Sequence, residues 1–164
     1  MTKVFKTKWF NIERIKFKSS NYYKLNHPNS VIILAITNKQ KVIVIEQFRH
    51  IQKNKTLEFP SGGINKKETP LKAAKRELLE ESGYISNNWK FIGKGILRLE
   101  RENSVNYFYL AKNCKFKKKV KEKINVKIYT KKKFKILIKN KLFNQIAAFP
   151  ILIWVKKYKI NLID

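Results

Sequence analysis

Residues 62–84 read GGINKKETPLKAAKRELLEESGY, a stretch that writes out both ends of a helix and sets three glutamates on one of its faces. Thr69 is a good N-cap, and Pro70 suits the first helical position, where its missing N–H costs nothing. The run from Pro70 to Ser82 is rich in Leu, Lys, Ala, Arg and Glu, all strong helix formers. Gly83 stands where a helix would end in a left-handed residue. Inside the helix, Glu77, Glu80 and Glu81 are related by i, i+3 and i+4 and span an arc of about 100°. Like charges so placed repel. A hard divalent cation, Mg²⁺ or Mn²⁺, held by carboxylate oxygens offsets that repulsion. Leu71, Ala74 and Leu78 form the neighbouring apolar stripe, which would dock the helix on a sheet. Gly62-Gly63 predict a tight loop and a close backbone approach to a ligand.

A charge run on a helix is ordinarily a solvated face. Composition argues otherwise here. The chain has 38 Lys+Arg against 11 Asp+Glu, and five of those acids (Glu58, Glu68, Glu77, Glu80, Glu81) fall between positions 58 and 81. Where acid is this scarce, its concentration in one segment asks for a chemical reason.

The length of 164 residues predicts one domain spanning 1–164, and 43% hydrophobic with 13% aromatic content predicts a packed core. The single Cys114 allows no intramolecular disulfide and suits a reducing cytosol, so a cytoplasmic protein is expected. The N-terminus lacks the apolar run of a signal peptide. The longest apolar stretch, Ile146 to Val155, is interrupted by Pro150 and is too short to span a bilayer. With only His27 and His50 and no Cys/His cluster, a zinc site is not expected. The net charge of +27 has two readings: a basic surface for nucleic acid or polyphosphate, or genome composition. Only five of the basic residues are Arg, and Ile, Asn, Phe and Tyr are abundant, as AT-rich codons would supply. The Lys clusters at 117–119 and 131–133 lack interleaved aromatics and Arg forks, so nucleic acid is not the favoured partner.

Along the chain, residues 1–30 read as short strands. Val31–Thr37 and Lys41–Glu46 are β-branched runs joined by Asn38-Lys39-Gln40, a hairpin signal. Leu57–Phe59 predicts a short strand ahead of the glycines. Strand-like runs follow at Trp89–Ile92, Gly95–Leu99, Asn106–Ala111 and Ile124–Tyr129. Thr130 then caps a helix to about Lys139, and a second C-terminal helix is expected from Asn144 to about Lys157. Mixed strands with one central and two C-terminal helices suggest an α+β chain in which helices sandwich a sheet.

The segment 62–84 fits G-x5-E-x7-R-E-U-x-E-E-x-G-U, with U a bulky apolar residue: Gly62, Glu68, Arg76, Glu77, Leu78, Glu80, Glu81, Gly83 and Tyr84. It resembles the Nudix box, the signature of hydrolases that cleave a nucleoside diphosphate linked to another group X. Upstream, Gln47-Phe48-Arg49 and Leu57-Glu58-Phe59-Pro60-Ser61-Gly62-Gly63 are similar to the ADP-ribose and nucleoside-diphosphate-sugar pyrophosphatase branch. Glu58 and Ser61 differ from the Q-F-P-Q-G-G form of RNA pyrophosphohydrolases. The resemblance runs over roughly residues 30 to 158, weakly at its C-terminal end. It implies a Nudix-type α/β/α sandwich with a mixed β-sheet.

The resemblance also implies roles. Glu77 and Glu81 would be the main metal-binding carboxylates, with Glu80 assisting and the Ser61 backbone carbonyl adding a ligand. Arg76 would hold a box carboxylate in place, and Glu68 would brace the loop–helix junction, with Gly62 and Gly83 as structural members. Arg49 would grip a substrate phosphate, and Glu58 would touch substrate or the metal's surroundings. Outside the resemblance, Arg98, one of five arginines in a chain that otherwise uses Lys, is a further substrate-binding candidate or an incidental surface residue. Glu122 matches a loop glutamate that acts as general base in some relatives; a surface acid balancing its lysine neighbours is the alternative, and Glu100 and Glu102 compete for the role. The implied reaction is metal-assisted hydrolysis of a nucleotide sugar such as ADP-ribose to a nucleoside monophosphate and a sugar phosphate. Relatives in this branch are commonly homodimers through N-terminal strands, so Trp9, Phe10, Tyr22 and Tyr23 would either stack on a base or pack in a core. A proline often found about fifteen residues past the box is missing from Ile96-Leu97-Arg98-Leu99-Glu100, which leaves the particular sugar open. Hydrolysis of other nucleotides or RNA 5′ ends, and a non-catalytic nucleotide- or RNA-binding module, are the other readings.

Overall fold

Residues 31–36 form an unbroken apolar run, Val-Ile-Ile-Leu-Ala-Ile, a pattern that belongs to a strand covered on both faces. The computed structural model, which describes residues 2–120, 124–143 and 145–163, places this run at the centre of the larger of two sheets. Three strands precede it and form a small antiparallel sheet of their own: β1 (Thr2–Lys6), β2 (Asn11–Phe17) and β3 (Ser20–Asn26). β4 (Ser30–Thr37) and β5 (Lys41–Arg49) make the expected hairpin. Its turn closes with Gln40 at φ 57° and its N–H donating to the Thr37 carbonyl at 3.0 Å. β6 (Asn54–Glu58) pairs with β5, and β7 (Ser61–Gly63) pairs with β4.

The order continues with α1 (Pro70–Ser82), β8 (Tyr84–Ile85), β9 (Asn88–Ile96), β10 (Val105–Phe116), β11 (Asn125–Thr130), α2 (Lys131–Lys139) and α3 (Phe149–Trp154). The larger sheet runs β11-β5-β4-β10-β8, with β6 beside β5, β7 beside β4 and β9 beside β10. β4 and β10 are parallel and the other paired strands antiparallel, so the sheet is mixed.

Period-two alternation along β4 divides the core. Val31, Ile33 and Ala35 pack with Ala73, Ala74 and Leu78 of α1. Ile32, Leu34 and Ile36 face Phe134 of α2 together with Ile151 and Leu152 of α3. Helices therefore cover both faces, in the α+β, α/β/α arrangement expected from the sequence. Full burial of a side chain such as Leu78 is worth about 2 kcal/mol, which seats α1 firmly on the sheet.

The ends of α1 are those the sequence specifies. Thr69 is extended (φ −78°, ψ 151°), its hydroxyl accepts from the Lys72 N–H, and Gly83 closes the helix at φ 73° with its N–H on the Leu79 carbonyl. Three expectations need correction. Gly62-Gly63 are not a loop: they belong to β7, held by pairing with Val31 and Ser30. The runs Trp89–Ile92 and Gly95–Leu99 begin as one strand, β9, continuous through Gly93 because β10 pairs along its length, but the strand ends at Ile96 and 97–99 fall in the turn that follows. The expected helix from 144 to 157 is broken into a 3₁₀ turn at Ile146–Ala148, the short α3, and a second 3₁₀ turn at Val155–Tyr158. Pro150 cannot donate into a preceding turn, so it restarts the helix near position N1 rather than continuing it.

Candidate active site

β7 and the start of α1 bring the segment 61–65 against the glutamate face of the helix, and together they form one wall of a cleft of about 630 Å³. Glu58, Ser61, Gly62, Glu77 and Glu81 line it, with Arg49 and Arg76. A Cβ at Gly62 would collide with the Glu77 carboxylate, so glycine at this position is what lets Glu77 lie under the backbone.

Arg76 organises the acids around it. Its Nε and Nη2 donate to the two oxygens of Glu68 at 3.0 and 2.9 Å, and Nη2 also reaches the Gly63 carbonyl at 2.9 Å. Its Nη1 donates to Glu77 at 2.6 Å and to Glu80 at 3.0 Å. One guanidinium thus ties the loop, the helix start and two helix carboxylates together, and Glu68 also accepts from the Asn65 N–H. Arg76, followed by the Asn65 N–H, holds the Glu68 carboxyl below its ordinary range.

The electrostatics of the remaining acids diverge. Burial pushes Glu81 up to about 8; the Ser61 N–H, donating to it at 2.7 Å, opposes this, while neighbouring Glu77 and Glu58 add to the rise. Burial also raises Glu77, against the pull of Arg76. Glu58 is buried as well, but Arg49 and Thr56 overcome the burial and hold its carboxyl low. Arg49 grips both of its oxygens, Nε at 2.8 Å and Nη2 at 2.5 Å, and Thr56 Oγ1 donates at 2.5 Å. The wall of the cleft therefore holds one firmly ionised carboxylate and two whose charge is disfavoured by their surroundings.

This donor set suits a hard divalent cation: it is all oxygen, and the crowding that raises Glu81 is relieved by positive charge. Among the described residues, no three carboxylate or imidazole groups converge closely enough to grip an ion in the arrangement described. The physical reason is visible in Arg76 and Ser61, which occupy oxygens of Glu77, Glu80 and Glu81. Cation binding there requires those side chains to exchange partners.

The structure gathers Arg49, Glu58, Ser61, Gly62, Arg76, Glu77 and Glu81 at the cleft. Glu80 lies beside them, exposed and bound to Arg76. Gly83 ends the helix away from the cleft. Arg98 is not brought in: it is exposed in the turn after β9, where its Nη2 lies 3.5 Å from Glu102. Glu102 is buried against His27 Nε2 at 2.8 Å and accepts from the Arg98 N–H, and Glu100 is exposed in the same turn. Glu122 and Asn144 lie outside the described residues. Trp9 lines the cleft, as do His27, Ser30, Asn106 and Gln145, which no motif had marked. Gln145 accepts from the Phe59 N–H at 2.9 Å and lies 3.5 Å from Ser61 Oγ, a contact 84 residues apart in sequence that no local pattern announces.

A glutamate-bearing helix braced by one arginine, docked on a mixed sheet and opening on a cleft, defines the class. The NUDIX domain model matches residues 26–128. The chain belongs to the NUDIX domain family. It is 38% identical over 76 residues to the ADP-ribose pyrophosphatase of Bacillus subtilis (strain 168), covering 46% of this chain and 41% of that protein. It is 32% identical over 88 residues to the methanol dehydrogenase activator of Bacillus methanolicus, covering 54% of this chain and 48% of that one. The chain spans under half the length of these two relatives. A solved structure described as an ADP compounds hydrolase superposes with a TM-score of 0.79 over 95% of this chain and 91% of that one; at 22% identity this is a likeness of fold. The resemblance to the ADP-ribose pyrophosphatase branch, carried by residues 47–49 and 57–63, is supported by the B. subtilis relative. No described helix is long and apolar enough to cross a membrane.

Proposed function

We propose that the chain is a single-domain, Mg²⁺-dependent Nudix pyrophosphatase that hydrolyses a nucleoside diphosphate linked to X, with ADP-ribose or another nucleotide sugar as substrate. The observation that carries this reading is the meeting of Glu58, Ser61, Glu77 and Glu81 with Arg49 in one cleft. Glu77 and Glu81 would hold the cation, with Glu80 and the Ser61 carbonyl completing its surroundings. When bound, the cation supplies charge neutralisation for the phosphate oxygens and makes water more acidic; Mn²⁺ would serve the same purpose. Arg49 has donors beyond the two given to Glu58, and these orient a phosphate. Arg76 keeps the helix carboxylates in register. A glutamate accepts the proton of the attacking water, either Glu122 or a cleft carboxylate; one P–O bond forms as the bridging P–O bond breaks, and the second phosphate leaves. From ADP-ribose the products are AMP and ribose 5-phosphate.

Trp9 lines the cleft and is 71% exposed, which supports stacking on a base over packing in a core. Val4, Phe5, Phe17, Tyr22 and Tyr23 are also exposed on β1–β3, which supports a homodimer through the N-terminal sheet. The charge of +27 favours a second reading, action on other nucleotides or RNA 5′ ends. Parallel assays of ADP-ribose, other nucleotide sugars, dinucleoside polyphosphates and triphosphorylated RNA with Mg²⁺ or Mn²⁺ test both: a nucleotide sugar turned over fastest supports the first, and RNA turned over fastest overturns it.

A further inference from the structure

A second hollow of about 320 Å³ lies beside the cleft, and the two meet at Asn106 and Ala147. Its remaining walls include Gly95, Leu97, Phe108, Phe149 and Trp154. Asn106 and the Trp154 indole N–H are the polar side-chain groups of this lining, and Asn106 Oδ1 already accepts from Ser30 Oγ at 2.6 Å. Leu97 and Ile146 at its rim are exposed.

The room comes from Gly95, one of two glycines on one face of β9. Gly93 pairs with Phe108 and Gly95 with Asn106, so the two glycines look to the same side of the sheet. At Gly93 the reason for glycine is plain: a Cβ would run into the ring of Trp154, which packs edge-on to Phe108 with centroids 5.5 Å apart. At Gly95 a Cβ would meet nothing within 4 Å. Glycine inside a strand sacrifices order and packing, and it marks places where a ligand or another backbone comes close. Gly93 is explained by a ring of the protein itself. Gly95 leaves a flat backbone floor of the same kind, open, between aromatic walls and next to the cleft.

The chemistry of the lining selects the occupant. A sugar seated there would lose the hydrogen bonds of its hydroxyls, since the recess has almost nothing to return. A flat heterocycle loses little and gains contact with Trp154 and Phe108. We propose that this recess takes a planar aromatic ring at the far end of group X, so that the preferred substrate is a nucleoside diphosphate whose second sugar carries a heterocycle. This rests on the pyrophosphatase reading above for the diphosphate, and on the recess alone for the ring.

The test uses reduced nicotinamide adenine dinucleotide as the ring-bearing probe and ADP-ribose as its ring-less counterpart, on wild type and on Gly95→Ala, Gly95→Val and Gly95→Leu. With Mg²⁺, wild type is expected to show a KM about tenfold lower for the dinucleotide, and Gly95→Leu to abolish that advantage while leaving ADP-ribose turnover unchanged. With chelator and no turnover, saturation-transfer NMR is expected to mark the nicotinamide ring protons in wild type and to lose them progressively as the residue at 95 grows. If Gly95→Leu fails to fold, the Ala and Val variants carry the comparison. Nicotinamide protons unmarked in wild type, or marked equally in every folded variant, overturn the proposal. Failure of wild type to hydrolyse ADP-ribose sinks the pyrophosphatase reading instead, and the NMR result still decides the recess.

Discussion

The Glu77 carboxylate lies in the space that a side chain at Gly62 would need. Gly62→Ala therefore forces either β7 or the Glu77 carboxylate to move. Since a misplacement of about 1 Å in a catalytic group can cost about 10²-fold, kcat should fall by about that factor. The α1 caps and its apolar seat are untouched, so the melting temperature should change by only a few degrees. Steady-state kinetics with a parallel thermal melt checks both; an Ala variant with full activity would mean that Glu77 does not take part.

Arg76 makes five hydrogen bonds to four partners: Glu68, Glu77, Glu80 and Gly63. Arg76→Lys keeps the charge but cannot fork to Glu68 while holding Glu77. It should destabilise by about 1–2 kcal/mol, the site being partly solvated. Denaturant unfolding measures this, and activity should fall with it because Glu77 loses its brace.

The legibility of the sequence tracks the range of the interactions. α1 was readable to the residue because Thr69, Pro70 and Gly83 act within one turn of its ends. The box glutamates were readable because helical spacing alone puts them on one face. The continuity of β9 was not, since it depends on β10 pairing along its length, a long-range event with no local period; the break near residue 148 does have a local sign in Pro150, whose missing N–H restarts the helix. The cleft shows the same division. Glu58 and Arg49 sit in recognisable flanking motifs, whereas Gln145 reaches Phe59 and Ser61 only through the fold. Arg98, singled out as one of only five arginines, is spent on Glu102 instead.

Arg49 should matter differently at different pH. Burial alone would raise the Glu58 carboxyl, and Arg49 with Thr56 turns the shift downward. A depressed carboxyl stabilises the fold above its unfolded value, about 4.5, and that contribution fades as pH drops through the folded value. Arg49→Ala should thus melt below wild type at pH 7, with the gap narrowing below about pH 4.5. A gap independent of pH would show that the ion pair is not its source.

Glu81 has the opposite sign. Its carboxyl is raised to about 8, so the folded metal-free protein keeps a proton that the unfolded chain has lost. The resulting stability is complete below about pH 4.5 and is lost as pH rises through about 8. Without metal, Glu81→Gln should equal wild type in acid and melt above it at pH 8.5. Thermal melts across that range in chelator would show it, and a variant less stable at high pH would contradict it.

Read by turnover, the same substitution shows whether the α1 glutamates hold the cation of the reaction. At saturating Mg²⁺, with ADP-ribose or the best nucleotide sugar, Glu81→Gln should lose about 10³-fold or more in kcat while keeping its fold and gaining no Mg²⁺-dependent rise in melting temperature. Turnover within a few-fold of wild type would contradict a cation held on this helix as the centre of the reaction.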